Sequence, residues 1–176
     1  MNRLTHILHL DASARGSSSH SRQVSGEFIK AWLQAWLQAH PGDAVTHHDR
    51  GHQAIPRVSE EFIGPMYTPA ESRRLTQVEA LKLSDELIGE IKTTDIYVFG
   101  VPMYNFGVPS VFKACVDHVV RAGETYNIQE PTVRTAFGLA GVTDQTLIHV
   151  NNTARGEETE ALLATACEQI KTLAGA

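Results

Sequence analysis

Short apolar runs alternate along this chain with longer segments in which apolar residues recur every three or four positions. The short runs, each bounded by polar or turn-forming residues, predict strands at residues 5–10, 44–48, 96–101 and 145–150. The second of these strands is weakly indicated, and the third is expected to be buried. The periodic segments predict helices at about residues 22–39, 68–91, 110–121, 130–139 and 157–173. Strands that alternate with helices favour a parallel sheet with right-handed crossovers, so we expect a doubly wound α/β fold in three layers.

The second predicted helix carries a start signal. Thr68 and Glu71 have the spacing of a capping box, and Pro69 between them suits the first helical position. The residues that precede this signal, from position 49 through Tyr67, show no clear period. We expect them to form an irregular polar connection.

The loop after the first predicted strand is rich in hydroxyl groups. Residues 11–22, which we call the serine loop, contain five serines and one glycine and lead into a predicted helix. Hydroxyl and free N–H groups at a helix N-terminus suit a phosphate dianion, although serine caps on a plain surface loop would give the same composition. The loop contains neither GxGxxG nor GxxxxGK[ST]. It therefore predicts a monophosphate ligand more than a dinucleotide or a P-loop ligand.

A second unusual loop follows the third predicted strand. Residues 103–106, which we call the aromatic turn, place a thioether, a carboxamide and two aromatic rings directly after Pro102. These side chains predict a binding surface for a flat aromatic cofactor, and the alternative is that they simply close the core. Ligands of parallel α/β sheets bind beyond the carboxyl ends of the strands, so both loops are expected to open on one crevice.

Composition narrows the class of protein. Hydrophobic residues make up 42% of the 176 residues and the formal charge is -5, which predicts one globular domain over residues 1–176 and disfavours a nucleic-acid partner. The sequence contains no apolar run near the roughly 18 residues of a membrane span. No signal peptide is recognisable either, so we expect a cytoplasmic protein.

Other chemical candidates are weaker. His47, His48 and His52 lie close in sequence, but adjacent histidines in a strand point to opposite faces, so no metal site is predicted there. Cys115 falls on an apolar helix face and predicts a core position more than a nucleophile. No side chain is predicted as a catalytic acid or base.

Three motifs extend these observations. They are Ser13 with Ser19-His20-Ser21-Arg22, the run Pro102-Met103-Tyr104-Asn105-Phe106, and Arg121-Ala122-Gly123-x-Thr125-Tyr126. Together they resemble the FMN-dependent NADH:quinone oxidoreductase/azoreductase family, which has a flavodoxin-like fold. The resemblance covers almost the whole chain, and the aromatic turn followed by the third motif is its most specific part.

The resemblance implies a role for each loop. It implies that the FMN phosphate is held by Ser13, Ser19, His20 and Ser21, and that the isoalloxazine is lined by Met103, Tyr104, Asn105 and Phe106. Phe106 and Tyr126 are expected to form the walls of the substrate slot. Members of the family are typically homodimers with flavin sites at the subunit interface, so a homodimer is implied here too.

The implied activity is a two-electron reduction. NADH or NADPH would supply a hydride to FMN, and quinones or aromatic azo compounds would accept the electrons. The alternatives are a flavodoxin-like FMN-binding electron carrier and an inactive shortened remnant. A phosphodiesterase acting on acyl carrier protein, a label that the family has also carried, is disfavoured because the sequence offers neither a metal cluster nor paired carboxylates for it.

The chain departs from the family pattern after Tyr126. Family members continue into a further strand that ends in a Ser-Arg-Gly-Gly-like flavin-binding turn, whereas residues 126–128 here pass almost directly into the helix predicted at 130–139. The fourth strand, beside the strand that precedes the aromatic turn, is therefore missing. Residues left out of the sequence, a truncated chain and a true deletion each explain this, and we favour the first. A true deletion would deprive the pyrimidine edge of the flavin of its backbone donors.

Overall fold

The structure is a computed structural model that describes residues 5–36, 42–53, 55–121, 123–125 and 159–174. The chain divides into two compact units, which we describe separately. The first comprises residues 1–53, 94–109 and 146–176, and the second comprises residues 54–93 and 110–145. That residues 1–176 form one domain stays a prediction.

A parallel sheet forms the centre of the first unit. Strand β1 (His6–Asp11) lies between β2 (Ala44–Asp49) and β3 (Ile96–Gly100), in the order β2-β1-β3. Ile7, Leu8 and Leu10 of β1 are all buried, because a central parallel strand is covered on both faces and tolerates a nearly continuous apolar run. The register aligns the last residues of the three strands, so the loops that follow them leave from one edge.

Among the described residues, two helices belong to the same unit. Helix α1 (His20–Trp36) follows the serine loop and contacts β1 and β3. The last helix, which we number α5 (Thr159–Ala174), packs against α1 and buries Ala166 and Ile170, one helical turn apart.

The second unit, as far as it is described, consists of helices. They are α2 (Glu60–Met66), α3 (Leu75–Thr93) and α4 (Ser110–Val119), with a 3₁₀ turn (Ala70–Ser72) between the first two. The buried positions of α3 recur every three or four residues, as its sequence pattern predicts; they are Leu81, Ser84, Leu87, Ile88 and Ile91. None of the helices in the described ranges combines the length and the hydropathy that crossing a bilayer requires.

Two sequence expectations for the second unit are wrong. The stretch expected to be irregular contains α2, whose interior Pro65 disguised it, since proline normally interrupts a helix. The long helix begins at Leu75 rather than at the capping box, because the Thr68 hydroxyl donates backwards to the Gly64 carbonyl at 3.2 Å. The start of α3 is fixed by Gln77, whose Oε1 accepts the Arg74 N–H at 2.9 Å.

Several expectations fall outside the described residues. They are the helix at 130–139, the strand at 145–150, Tyr126 and the position of the missing strand. The remaining predicted strands and helices are present, and apart from the start of α3 their described ends differ by a few residues from those expected. The strand β3, expected to be buried, is half-buried along most of its length and buried at Gly100.

Candidate functional site

The serine loop joins the end of β1 to the start of α1 and buries two hydroxyl-bearing residues. Ser13 is 1% exposed and Ser19 is 3% exposed. Ser19 is the N-cap of α1: its carbonyl accepts the Gln23 N–H at 3.1 Å, and its hydroxyl accepts the Arg22 N–H at 3.4 Å. The Ser21 hydroxyl lies 3.1 Å from that of Ser19.

This arrangement presents hydroxyl and N–H groups at one helix end. The first N–H groups of any α-helix have no carbonyl partner within the helix, and the helix dipole adds positive potential there. His20 stands at the first helical position, half-buried, with Nδ1 3.4 Å from Gln23 Oε1. The start of α1 therefore has the donors that a phosphate dianion requires.

Arg22 fixes the backbone of the serine loop. Its guanidinium donates a hydrogen bond to the Ser13 carbonyl at 2.6 Å. It also donates to both carboxylate oxygens of Asp49 at the end of β2. The hydrogen-bonded guanidinium, helped by His52 at 2.7 Å from Asp49 Oδ2, holds the pKa of the Asp49 carboxyl well below its ordinary value. Arg22 lies within one of the sequence motifs, but the motif alone indicates no role for it, because Asp49 is distant in sequence.

Gly51 lies against the same loop. A Cβ atom at this position would overlap the Ser13 carbonyl oxygen, so only glycine fits. The Asp11 carbonyl accepts the N–H groups of Arg50 and Gly51 at 2.8 and 3.2 Å, which holds the two segments in this close approach. The path of the serine loop is thus set from the β2 side of the sheet.

The aromatic turn is tight and strained. Tyr104 and Gly107 exchange backbone hydrogen bonds of 2.9 and 3.0 Å around Asn105 and Phe106, both of which have positive φ, at 47° and 65°. Positive φ is costly for a residue with a side chain, particularly for Phe, and such strain is concentrated at functional sites. Phe106 is 98% exposed and Met103 is 73% exposed. The turn therefore presents an apolar surface, and the expectation that its aromatics close the core does not hold for Phe106.

Tyr104 connects the two loops. Its hydroxyl accepts the Ala14 N–H at 3.1 Å and lies 3.4 Å from the Ser13 hydroxyl. The sequence predicted that both loops open on one crevice, and this contact brings them together at the carboxyl edge of β1 and β3. Hydroxyl donors thus stand beside an exposed aromatic surface, a combination that fits a phosphorylated flat ring such as FMN.

The chain is similar in sequence to known proteins. Residues 5–133 match the family described as flavodoxin-like fold. The chain is 37% identical to the FMN-dependent NADH:quinone oxidoreductase of Nostoc punctiforme, with 93% of this chain and 95% of that protein aligned. It is 36% identical to FMN-dependent NADH:quinone oxidoreductase 2 of Trichormus variabilis, over 88% and 90% of the two chains.

Solved structures share the fold. An azoreductase from Bacillus anthracis strain Sterne superposes with a TM-score of 0.83 at 19% identity, over 98% of this chain and 99% of that one. An FMN-dependent NADH-azoreductase from the Ames Ancestor strain, solved in complex with FMN, gives a TM-score of 0.78 at 16% identity, over 97% and 98%. At these identities the likeness establishes the fold alone.

The relatives also bear on the shortened middle of the chain. The alignment with the Nostoc punctiforme protein extends over 198 residues, whereas this chain has 176. That protein therefore contains residues without a counterpart here, which agrees with a strand missing after Tyr126. With the predicted fold class confirmed by the family match and the structural neighbours, the chain belongs to the flavodoxin-like fold family.

Proposed function

We propose that this chain is an FMN-dependent reductase that transfers two electrons from NADH or NADPH to quinones and cleaves aromatic azo compounds. The observation that carries the proposal is the Tyr104 hydroxyl, which joins the serine loop to the aromatic turn. The names of the two relatives described above, FMN-dependent NADH:quinone oxidoreductases at 37% and 36% identity, support the same activity.

The described residues would divide the binding of FMN between two ends. Ser13, Ser19, His20 and Ser21 would hold the phosphate through hydroxyl, ring and backbone N–H donors at the start of α1. Met103, Tyr104, Asn105 and Phe106 would line the isoalloxazine. Bound FMN supplies the hydride chemistry, and the protein supplies binding, orientation and electrostatics.

Phe106 and Tyr126 would bound the substrate slot. The Phe106 ring is exposed, so it offers an aromatic face on which a flat quinone or azo compound can stack. The exposed side chains of Met103, Phe106 and Val108 also favour burial against a second copy, which supports a homodimer. We include a cytoplasmic location in the proposal.

The decisive experiment measures flavin binding and turnover with purified protein. We expect a yellow protein that retains FMN and oxidises NADH in the presence of a benzoquinone. Ser19→Ala removes a buried hydroxyl of the serine loop, and losing a hydrogen bond to a charged group weakens FMN binding by about tenfold or more. Ser18→Ala, at an exposed position of the same loop, is the matched control and leaves the affinity unchanged.

Two outcomes contradict the proposal in different ways. A colourless protein that does not bind added FMN excludes the cofactor, and with it the reductase. A protein that binds FMN but is reduced by neither NADH nor NADPH is an FMN-binding electron carrier or an inactive shortened remnant.

A further inference from the structure

The register of the sheet brings together three side chains that are apart in sequence. His9 of β1 is the direct partner of His47 on β2, and Asp11 follows on the same face of β1. The two imidazole rings stack with centroids 4.5 Å apart. One ligand atom from each of His9, Asp11 and His47 lies within 4.8 Å of the others.

The imidazole of His9 has an unsatisfied nitrogen. The side chain is 9% exposed, and in the described part of the chain its Nε2 makes no hydrogen bond. Asp11 Oδ2 lies 3.5 Å from this nitrogen, too far for a good hydrogen bond. A buried polar atom without a partner is costly, and a bound ion is one of the few physical explanations for it.

The carboxylate of Asp11 is oriented towards both rings. Its Oδ1 accepts the Ser25 hydroxyl at 2.8 Å, which leaves Oδ2 facing His9 and, at 3.0 Å, Nε2 of His47. Metal-binding carboxylates are commonly held by such a second hydrogen bond.

The surrounding charges are compatible with a cation. Arg22 NH1 is 3.7 Å from Asp11 Oδ2 and would repel an ion, but both carboxylate oxygens of Asp49 bind the same guanidinium. The charge of Arg22 is thereby balanced, and the charge of Asp11 remains for the ion. His52 also contacts Asp49, on the side of Asp49 Oδ2.

We propose that His9, Asp11 and His47 form a binding site for a divalent late first-row transition metal, of which Zn²⁺ is the representative. Two imidazoles and one carboxylate suit Zn²⁺, Cu²⁺ or Ni²⁺, whereas Mg²⁺ and Ca²⁺ prefer oxygen ligands. Bonds of about 2.1 Å from Zn²⁺ to each ligand place the ligand atoms within roughly 4 Å of each other. The ligand atoms here lie within 4.8 Å, so small side-chain rotations would bring them to that separation. The His47 side chain is 48% exposed, which gives the ion an entry path and leaves a position for water.

The site differs from the histidine group visible in the sequence. His47, His48 and His52 are neighbours along the chain, but His48 points to the other face of β2. The partners of His47 in the proposed site, His9 and Asp11, lie on β1 instead. Sequence spacing gives no signal for the set of His9, Asp11 and His47, because its members lie on two different strands.

The test counts bound zinc in the whole protein. Tag-free protein is treated with a chelator, dialysed against ZnCl₂ and analysed by mass spectrometry of the elements. We expect one tightly bound Zn²⁺ that excess Mg²⁺ does not displace. His47→Ala, at a half-exposed position that the fold tolerates, weakens binding by about tenfold or more, whereas His48→Ala, on the same strand, leaves it unchanged.

A second variant separates ligand loss from misfolding. Asp11→Asn keeps the size of the side chain but removes the charge, and its fold is checked by circular dichroism. Zinc raises the melting temperature of the native protein because it binds the folded state, and we expect this rise to disappear in Asp11→Asn. Unchanged zinc binding in His47→Ala, equal losses in His48→Ala, or displacement by Mg²⁺ would each overturn the site. The assay contains neither NADH nor quinone, so its outcome is independent of the reductase proposal.

Discussion

Asp49→Asn tests how strongly the sheet edge holds the serine loop. The substitution keeps the shape of the side chain but removes the charge that grips Arg22, whose guanidinium also donates to the Ser13 carbonyl. Hydrogen bonds to charged groups contribute about 1.5–3 kcal/mol each. The Arg22 side chain is 14% exposed and that of Asp49 is 27% exposed, so solvent weakens the pair only in part.

We expect Asp49→Asn to lower the free energy of unfolding by about 2 kcal/mol at neutral pH, a loss of roughly thirtyfold in the folded-to-unfolded ratio. Urea unfolding followed by circular dichroism measures it. The matched control is Glu27→Gln, which removes an exposed ion pair with Lys30 on the same helix and costs less than about 0.5 kcal/mol. Equal losses in the two variants would contradict the argument.

The pH dependence of this difference is a second check on the same variant. Because the folded pKa of Asp49 is depressed, its stabilisation is complete above the unfolded pKa and is lost as the pH falls through the folded one. The difference in the free energy of unfolding between the native protein and Asp49→Asn should therefore decrease steadily below about pH 5. A gap that is constant down to acid unfolding would show that the charge of Asp49 is not its source.

Two further substitutions probe backbone geometry. Phe106→Gly should be about 1 kcal/mol more stable than Phe106→Ala in urea unfolding, because both remove the ring but only glycine relieves the positive φ; equal stabilities would mean the turn is unstrained. Gly51→Ala should destabilise the protein by more than about 2 kcal/mol and weaken FMN binding, since the new Cβ overlaps the Ser13 carbonyl. Gly26→Ala, in open space on α1, should instead stabilise it by up to about 1 kcal/mol, and a loss there would refute the comparison.

Local sequence signals were sufficient where local forces decide the structure. The apolar runs located β1 and β3 to within a residue at each end, because each strand coincides with consecutive apolar residues bounded by polar or turn-forming ones. The capping signal at Thr68 was misleading, because the Thr68 hydroxyl can either cap the following helix or donate back to the Gly64 carbonyl, and it does the latter. Propensity rules cannot rank two such local bonds, because the alternatives have similar free energies.

The candidate site shows the same division. Hydroxyl enrichment before a helix indicated the serine loop, and the family resemblance implied Ser13 and Ser19 within it. The structure buries both side chains, and their binding of phosphate stays a prediction. The positive φ of Asn105 carries a weak signal in the residue type, whereas that of Phe106 carries none. The exposure and the positive φ of Phe106 are explained by a ligand that contacts the ring, and the sequence does not contain that ligand.

The remaining features depend on the β1–β2 register. Asp49 reaches Arg22 across 27 positions of sequence, and His47 reaches His9 across the same ladder, because Asp11 and Asp49 are paired at the strand ends. A shift of one residue would turn His47 and Asp49 to the opposite face and break both contacts at once. The register of β2 therefore decides two properties together: the rigidity of the serine loop and the assembly of the proposed metal ligands. Substitutions that loosen β2 should weaken FMN and zinc binding in parallel, whereas those confined to His47 should affect zinc alone.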